Sequence, residues 1–381
     1  MSTRPEWFQG PLPWVNRSMN YVRKILYLKD YSNPKNCIRE INRCGGRPVR
    51  VLPHLGVIVG EFVRKEGLYS LEGHPDVVHW EYDSQVTITD PIAGEITEGA
   101  AEGLPWGIQD VEATRVWPYT KGRGVKVAVI DTGVANDHPA VQKNYSGGVN
   151  ILSPMFTPYD YNGHGTHVAA TIAGRATDLN VMGVAPRVHI YGVKAFNRKG
   201  SANLSDLLSA INWCIENRMD VVNMSFGMPK VSDTLLEAIR TAHRQGITMV
   251  AAAGNQGNSG NVDYPARFDE TIGVTAVSND GRLAPFSNVG DGVDLAAPGD
   301  QIRSAWLNGT TREMSGTSMA VPHVSGTVAL LLYLRSDLKP DLIRRLMVES
   351  TIPIQENRSY GKVSSFQSVQ LLARHMGRFI P

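Results

Sequence analysis

Cysteine is scarce in this chain, with three thiols, Cys37, Cys44 and Cys214, among 381 residues. So few, and an odd number, exclude a disulfide framework. Cys37 and Cys44 fall on a stretch that reads as helix, which puts them roughly 10 Å apart, too far to bridge. Free thiols suit a reducing compartment, so the expectation is a cytoplasmic protein, with an extracellular one as the alternative. Long apolar runs are missing too, since none reaches the roughly 18 residues that a bilayer span needs. The opening stretch MSTRPEWFQGPLPW lacks the apolar core of a signal peptide. Charge of one sign is also in short supply. The balance of 38 Lys and Arg against 36 Asp and Glu leaves +2, too little to point to nucleic acid or an anionic membrane as partner. No internal repeat and no low-complexity tract breaks the chain.

What is present is ordinary globular material, 42% hydrophobic and 19% charged, enough for one large domain and one small one. Residues 1–20 read as a loose leader. From Tyr21 the pattern becomes regular: a strand at 22–30, a helix at 33–44 stopped by Gly45-Gly46, strands at RPVRVL and GVIVGEFV, a short helix near EGLYSLEG, and a last strand over VVHWEYDSQVTI. That βαββαβ order predicts a small ferredoxin-like α+β domain over 21–89. Residues 90–106 follow as an acidic linker, DPIAGEITEGAAEGLP, with no lysine or arginine, expected to be exposed. From 107 to 381 continuous apolar strands such as VKVAVID, VVNMSFG and TMVAAAG alternate with amphipathic helices, which predicts an α/β domain, a parallel sheet covered on both faces.

Three short motifs stand at the ends of these elements. Asp131 closes the apolar strand of VAVIDTGV, where an open α/β sheet usually places function. His164 lies in NGHGTHVAA, with glycines at the start of a helix. Ser318 lies in SGTSMAVPHVSG, at the first turn of a long apolar helix, where Pro322 costs no hydrogen bond. Alone, each is more often a turn residue, a structural histidine or an N-cap. Together they supply what acyl transfer requires. A serine hydroxyl needs a base, imidazole serves near neutral pH, and a buried carboxylate fixes its tautomer. Asn255, in AAAGNQGN after a buried strand, is in place to donate to an oxyanion beside the Ser318 N–H.

DTG, HGTHVA and GTSMA resemble the signature motifs of the subtilisin family of serine peptidases, and the resemblance covers about 107 to 373. It implies a triad of Asp131, His164 and Ser318 with Asn255 as oxyanion donor, and it makes His167 structural. It also implies a groove in which a peptide substrate pairs as an added strand along Gly200-Ser201-Ala202 and Ser225-Phe226-Gly227. Phe226 stands where the family usually has Leu, on a wall between two pockets. Asp263 falls where many members have Gly at the base of the S1 pocket, and it reads either as a selector of Arg or Lys at P1 or as an outward-facing loop residue. The family's tightest calcium site loses side-chain ligands here, because Ala140 and Thr177 occupy ligand positions, so no metal is predicted there. Asp160, Asp178 and Asp291 remain as ligands of a weaker calcium site or as solvated surface carboxylates. No other cofactor is implied.

The 21–89 unit resembles the inhibitory propeptide of subtilisins, with an unrelated accessory domain as the alternative. As a propeptide it is the chain's own inhibitor and ends near Thr89, a site without a basic P1 residue. The expectation is a serine endopeptidase made as a zymogen, acting on protein or peptide. The rivals are a dedicated leader-peptide processing protease and an inactive binding module.

Overall fold

The computed structural model describes residues 21–29, 34–63, 74–88, 92–97, 103–257, 260–354 and 357–380. The leader 1–20 and the short helix expected near 66–73 lie outside the described residues. The chain divides into two compact units, with the boundary between Asp83 and Ser84.

In the first unit, β1 (Tyr21–Leu28) is followed by α1 (Pro34–Arg43), β2 (Gly46–Leu52), β3 (Val57–Val63) and β4 (Val77–Tyr82). The strands pair antiparallel in the order β2-β3-β1-β4, the order of a ferredoxin-like sheet. Ile41 and Cys37 of α1 pack with Leu26, Leu28, Ile58 and Phe62 to form its core. Residues 77–88, expected as one strand, are broken at Asp83 and Ser84. The second half, β5 (Gln85–Ile88), belongs to the other unit, where its backbone finds partners on both sides. Two flanking strands satisfy more backbone groups than one edge can, and that decides the break.

The second unit continues through β6 (Ile92–Thr97), α2 (Trp106–Asp110), α3 (Ala113–Val116), β7 (Lys126–Asp131), β8 (Tyr145–Asn150) and α4 (His164–Ala173). Next come β9 (Arg175–Ala176), β10 (Val181–Met182), β11 (His189–Lys194), β12 (Ser201–Asn203), α5 (Leu204–Glu216), β13 (Val221–Met224), β14 (Phe226–Gly227) and α6 (Asp233–Arg244). The chain closes through β15 (Thr248–Ala252), β16 (Thr271–Val277), β17 (Leu295–Pro298), β18 (Ile302–Ala305), β19 (Thr311–Ser315), α7 (Thr317–Leu334), α8 (Pro340–Glu349), β20 (Ile352–Ile354), β21 (Asn357–Lys362) and α9 (Ser365–His375).

Nine strands form the main sheet in the order β20-β21-β17-β16-β15-β13-β7-β11-β8, parallel except for the last hairpin, β20–β21. This is the parallel α/β sheet that the apolar runs predict. The order turns back at β7: β8 and β11 lie on one side and β13 on the other. Asp131, the last residue of β7, therefore sits at the switch point where a crevice opens. Within the acidic linker Ile92 and Ile96 are exposed, as expected, and the linker also contributes a strand, since β6 pairs antiparallel with β19. Helix α7 meets the length and apolar composition of a membrane span, with mean hydropathy 1.3, which the run-length reading of the sequence missed. It is nevertheless 89% buried inside the protein, as a central helix whose whole surface meets the sheet and α4 should be.

Candidate active site

The site begins with two carboxylates that have left water. Asp131 is fully buried at the end of β7. Its Oδ1 accepts from the Thr132 N–H at 2.7 Å, and His164 Nδ1 lies 2.8 and 2.9 Å from its two oxygens. His164 is the first residue of α4, and the glycines around it have steric reasons. Gly163 has φ of +108°, and a Cβ at Gly165 would lie 2.2 Å from the Gly133 carbonyl oxygen. Only the smallest residue lets the helix start this close to the Asp131 turn. Burial works against an imidazolium at His164, but the Asp131 charge and hydrogen bond, with the Asp160 charge behind them, outweigh it. The group titrates above the ordinary histidine value.

Ser318 stands in the first turn of α7, also fully buried. Its hydroxyl donates to the Ser225 carbonyl oxygen at 2.9 Å, while the Ser225 hydroxyl donates to the Ser318 carbonyl at 2.9 Å. His164 Nε2 is buried and carries no hydrogen bond. The Ser318 hydroxyl is thus turned toward Ser225, with no hydrogen bond to the imidazole. Asn255, just beyond β15, accepts at Oδ1 from both the N–H and the hydroxyl of Thr317, each at 2.8 Å. Its oxygen is committed to the residue before Ser318, so the end of the amide that can donate is Nδ2. The sequence places Asp131, His164, Ser318 and Asn255 apart; the fold joins Asp131 to His164 directly, ties Asn255 to Thr317 beside Ser318, and packs α4, which starts at His164, against α7, which carries Ser318.

Asp160 is a correction. Expected as a weak calcium ligand or a solvated carboxylate, it is fully buried. It accepts five hydrogen bonds, from Thr132 Oγ1, the N–H groups of Asn162, Gly163 and Thr166, and Thr166 Oγ1. No lone pair is left over for a metal, and the negative charge suits the N-terminus of α4. Lys194, also unforeseen, is buried beside Asp131 on β11 and donates Nζ to the Thr132 carbonyl. Burial lowers its pKa, against the pull of Asp160 and Asp131. The signal that could have found Asp160 was its position four residues before His164, at the mouth of a helix. His167 is held by the carbonyls of Ile302 and Arg312 at 2.9 and 3.1 Å and is pushed down to about 3, mainly by burial, so it stays neutral.

The groove residues come together around the chain's own β5. Ser201 and Ala202 pair with Thr87 and Val86, the Gly200 carbonyl accepts from the Ile88 N–H at 2.9 Å, and Phe226 and Gly227 pair with Ile88 and Thr87. Phe226 is wholly buried against Phe196, with ring centroids 5.2 Å apart. Asp263 does not face outward, being only 7% exposed. Its carboxylate abuts two glycines: a Cβ at Gly227 would lie 2.8 Å from its Oδ2, and one at Gly254 would lie 2.5 Å from it. Those glycines adjoin Phe226 and Asn255, so the Asp263 carboxylate lies beneath the turns that carry both residues. Burial raises it to about 6, against a hydrogen bond from Gln256. Among the described residues no group of three or more His, Cys, Asp or Glu side chains converges as a metal set. Asp178 and Asp291 are exposed and distinct from this crevice in sequence.

A model of the subtilase family matches residues 122–368. The chain is 39% identical over 266 residues to subtilisin DY of Bacillus licheniformis, covering 69% of this chain and 96% of that protein. It is 36% identical over 327 residues to the minor extracellular protease Epr of Bacillus subtilis, covering 84% of this chain and 49% of that one. With subtilisin E of Bacillus subtilis it shares 43% identity over 238 residues, 61% of this chain and 62% of that protein.

Two measurements test the geometry. Asn255→Ala should lower kcat for peptide hydrolysis about a hundredfold or more, the size usual for loss of one oxyanion donor in this family, and leave KM nearly unchanged. A loss carried by KM alone would make Asn255 a substrate-binding residue. The pH profile of kcat/KM should fall on its acid side as His164 gains a proton, with a midpoint above the ordinary value of about 6.5, because Asp131 and Asp160 favour the cation. A midpoint below that value would contradict the pairing.

Proposed function

The chain belongs to the subtilase family of serine endopeptidases, and we propose that it is made as a zymogen whose residues 85–88 fill its own substrate groove and whose cleavage bond lies between Ile88 and Ile92. The observation that carries this is the double pairing across the nucleophile. On one side Ile88 pairs with Phe226, next to Ser225, whose carbonyl holds the Ser318 hydroxyl. On the other side Ile92 pairs with Ser315, three residues before Ser318. The chain therefore enters and leaves the crevice as an extended strand, the form in which a peptide binds such edges. Val86 and Ile88 are buried in the groove while Gln85 and Thr87 face out, the alternation of a strand read by pockets on one side.

In the proposed reaction Ser318 attacks the carbonyl carbon, and His164 takes the hydroxyl proton and returns it to the leaving amine. Asp131 holds the imidazole and stabilises its cation. Asn255 Nδ2 and the Ser318 N–H receive the oxyanion, and water then releases the acyl group. The ferredoxin-like unit, joined to β5 through Asp83 and Ser84, acts as the intramolecular inhibitor. The free thiols of Cys37, Cys44 and Cys214 support a reducing compartment, the cytoplasm, as the place of action.

For P1, Asp263 supports a preference for Arg or Lys. The bond expected after Thr89 offers no such residue, but an intramolecular cut proceeds at a very high effective concentration and does not need the best side chain.

Ser318→Ala should leave a full-length chain, whereas the wild type should show a new N-terminus between residues 89 and 92 by intact mass. Maturation of the isolated Ala variant, or a cut elsewhere in the wild type, would defeat the zymogen reading. With peptides varied at P1, Arg should be favoured over Leu by about ten- to hundredfold, one charge-assisted contact of about 1.5–3 kcal/mol. Because Asp263 titrates at about 6, it is charged above that pH and neutral below it. The preference should be full at pH 8 and shrink by pH 5, and Asp263→Gly should erase it. Equal Arg-to-Leu ratios at both pH values, unchanged by the Gly variant, would remove Asp263 from specificity.

A further inference from the structure

The loop between α4 and β11, where the family resemblance places calcium, has a chemistry opposed to a cation. Ala140 offers no side-chain oxygen, and its carbonyl accepts from the Arg175 N–H at 2.8 Å. Thr177 stands where a ligand amide would be. Beside them opens a pocket of about 280 Å³, lined by Lys121, Lys143, Arg175 and Arg187 together with Thr177 and Pro186. No carboxylate lines it, and among the described residues none of the four cations makes an ion pair. A calcium ion does not fit such a set, because the four cationic side chains repel it and the Thr177 hydroxyl is the one side-chain oxygen in the lining, against the six to eight oxygens it needs.

The cations are set on a tied framework rather than on loose loops. Arg175 lies in β9, paired with Met182 of β10. The Arg187 N–H donates to the Lys121 carbonyl at 2.9 Å. Asn144, next to Lys143, donates Nδ2 to the Pro186 carbonyl at 3.0 Å. Four basic residues and no acidic one in the lining raise the positive potential there, with the Lys121 ammonium also 5.8 Å from the Trp117 ring centroid, and a net charge of only +2 for the whole chain makes this a local concentration. Arginine forks match phosphate oxygens two at a time, and lysines add point charges.

We propose that this pocket binds a small soluble anion carrying more than one phosphate group, which holds the β9–β10 ribbon to the Lys121 and Arg187 segments. The volume favours a diphosphate or longer chain over a single phosphate, which would leave most of the hollow to water. The site is separate from Asp131, His164 and Ser318, so binding stabilises the folded chain without entering the reaction. No residue of β5 lines the pocket, so binding there does not depend on what fills the groove.

The test uses the full-length chain carrying Ser318→Ala, which keeps it intact, in calcium-free buffer with ionic strength matched by sodium chloride. Titration calorimetry with pyrophosphate should give a dissociation constant below about 1 mM. At about a hundred times that constant, Tm should rise by about 5 °C through linkage. Lys143→Glu with Arg175→Glu should weaken binding about tenfold or more and abolish the rise. Lys143→Gln with Arg187→Gln, at exposed positions, should weaken it as well and guards against a misfolded first variant. Pyrophosphate acting no better than matched chloride, unchanged affinity in folded variants, or calcium raising Tm more than pyrophosphate would each overturn the proposal.

Discussion

Asp131 and Asp160 are both removed from water at the mouth of α4, and an unsatisfied charge there would cost several kcal/mol. The surrounding structure reads as the answer to that cost. Thr132 serves both at once: its N–H donates to Asp131, its hydroxyl donates to Asp160, and that same hydroxyl accepts from the Gly165 N–H. The helix start supplies three backbone donors to Asp160, and His164 supplies one side-chain donor to Asp131. Lys194 closes the turn from the neighbouring strand. A buried polar network of this kind has one satisfied arrangement, so it fixes the imidazole as firmly as packing would.

The second dependence runs through strand edges. Gly200 to Asn203 and Phe226-Gly227 present backbone groups that a parallel sheet does not use, and unpaired edges invite a partner. Here the partner is the chain itself, β5, with β6 taken up by the β18–β19 hairpin beyond the nucleophile. Such edges pair through backbone groups that every residue of an extended strand carries. Beneath these edges Asp263 lies between Gly227 and Gly254, and Phe226 packs against Phe196.

Much of this was legible beforehand because its signals are local. Apolar runs bounded by glycine gave the parallel strands, and the glycines of NGHGTH marked a helix start that must approach another turn closely. The order of the small domain's elements predicted its sheet order. The break at Asp83 and Ser84 was not legible, since VVHWEYDSQVTI alternates in the same way on both sides of it. Only the partners differ, and partners are not written in one strand. Asp160 was misjudged for a similar reason. A carboxylate in a polar loop looks solvated until the five donors around it are counted, and one of them, Thr132, comes from another loop.

By itself the sequence determined which residues have the chemistry for acyl transfer and on what elements they ride, because periodicity, capping and glycine placement act over a few residues. The tertiary structure decided distance and solvent. It brought Asp131 within 2.9 Å of His164 and committed the Asn255 oxygen to Thr317. It turned Asp263 inward and gathered four cations from separate segments around one hollow. Those outcomes depend on contacts between residues far apart in the chain, and burial, which sets the cost of each charge, exists only once the chain has closed around it.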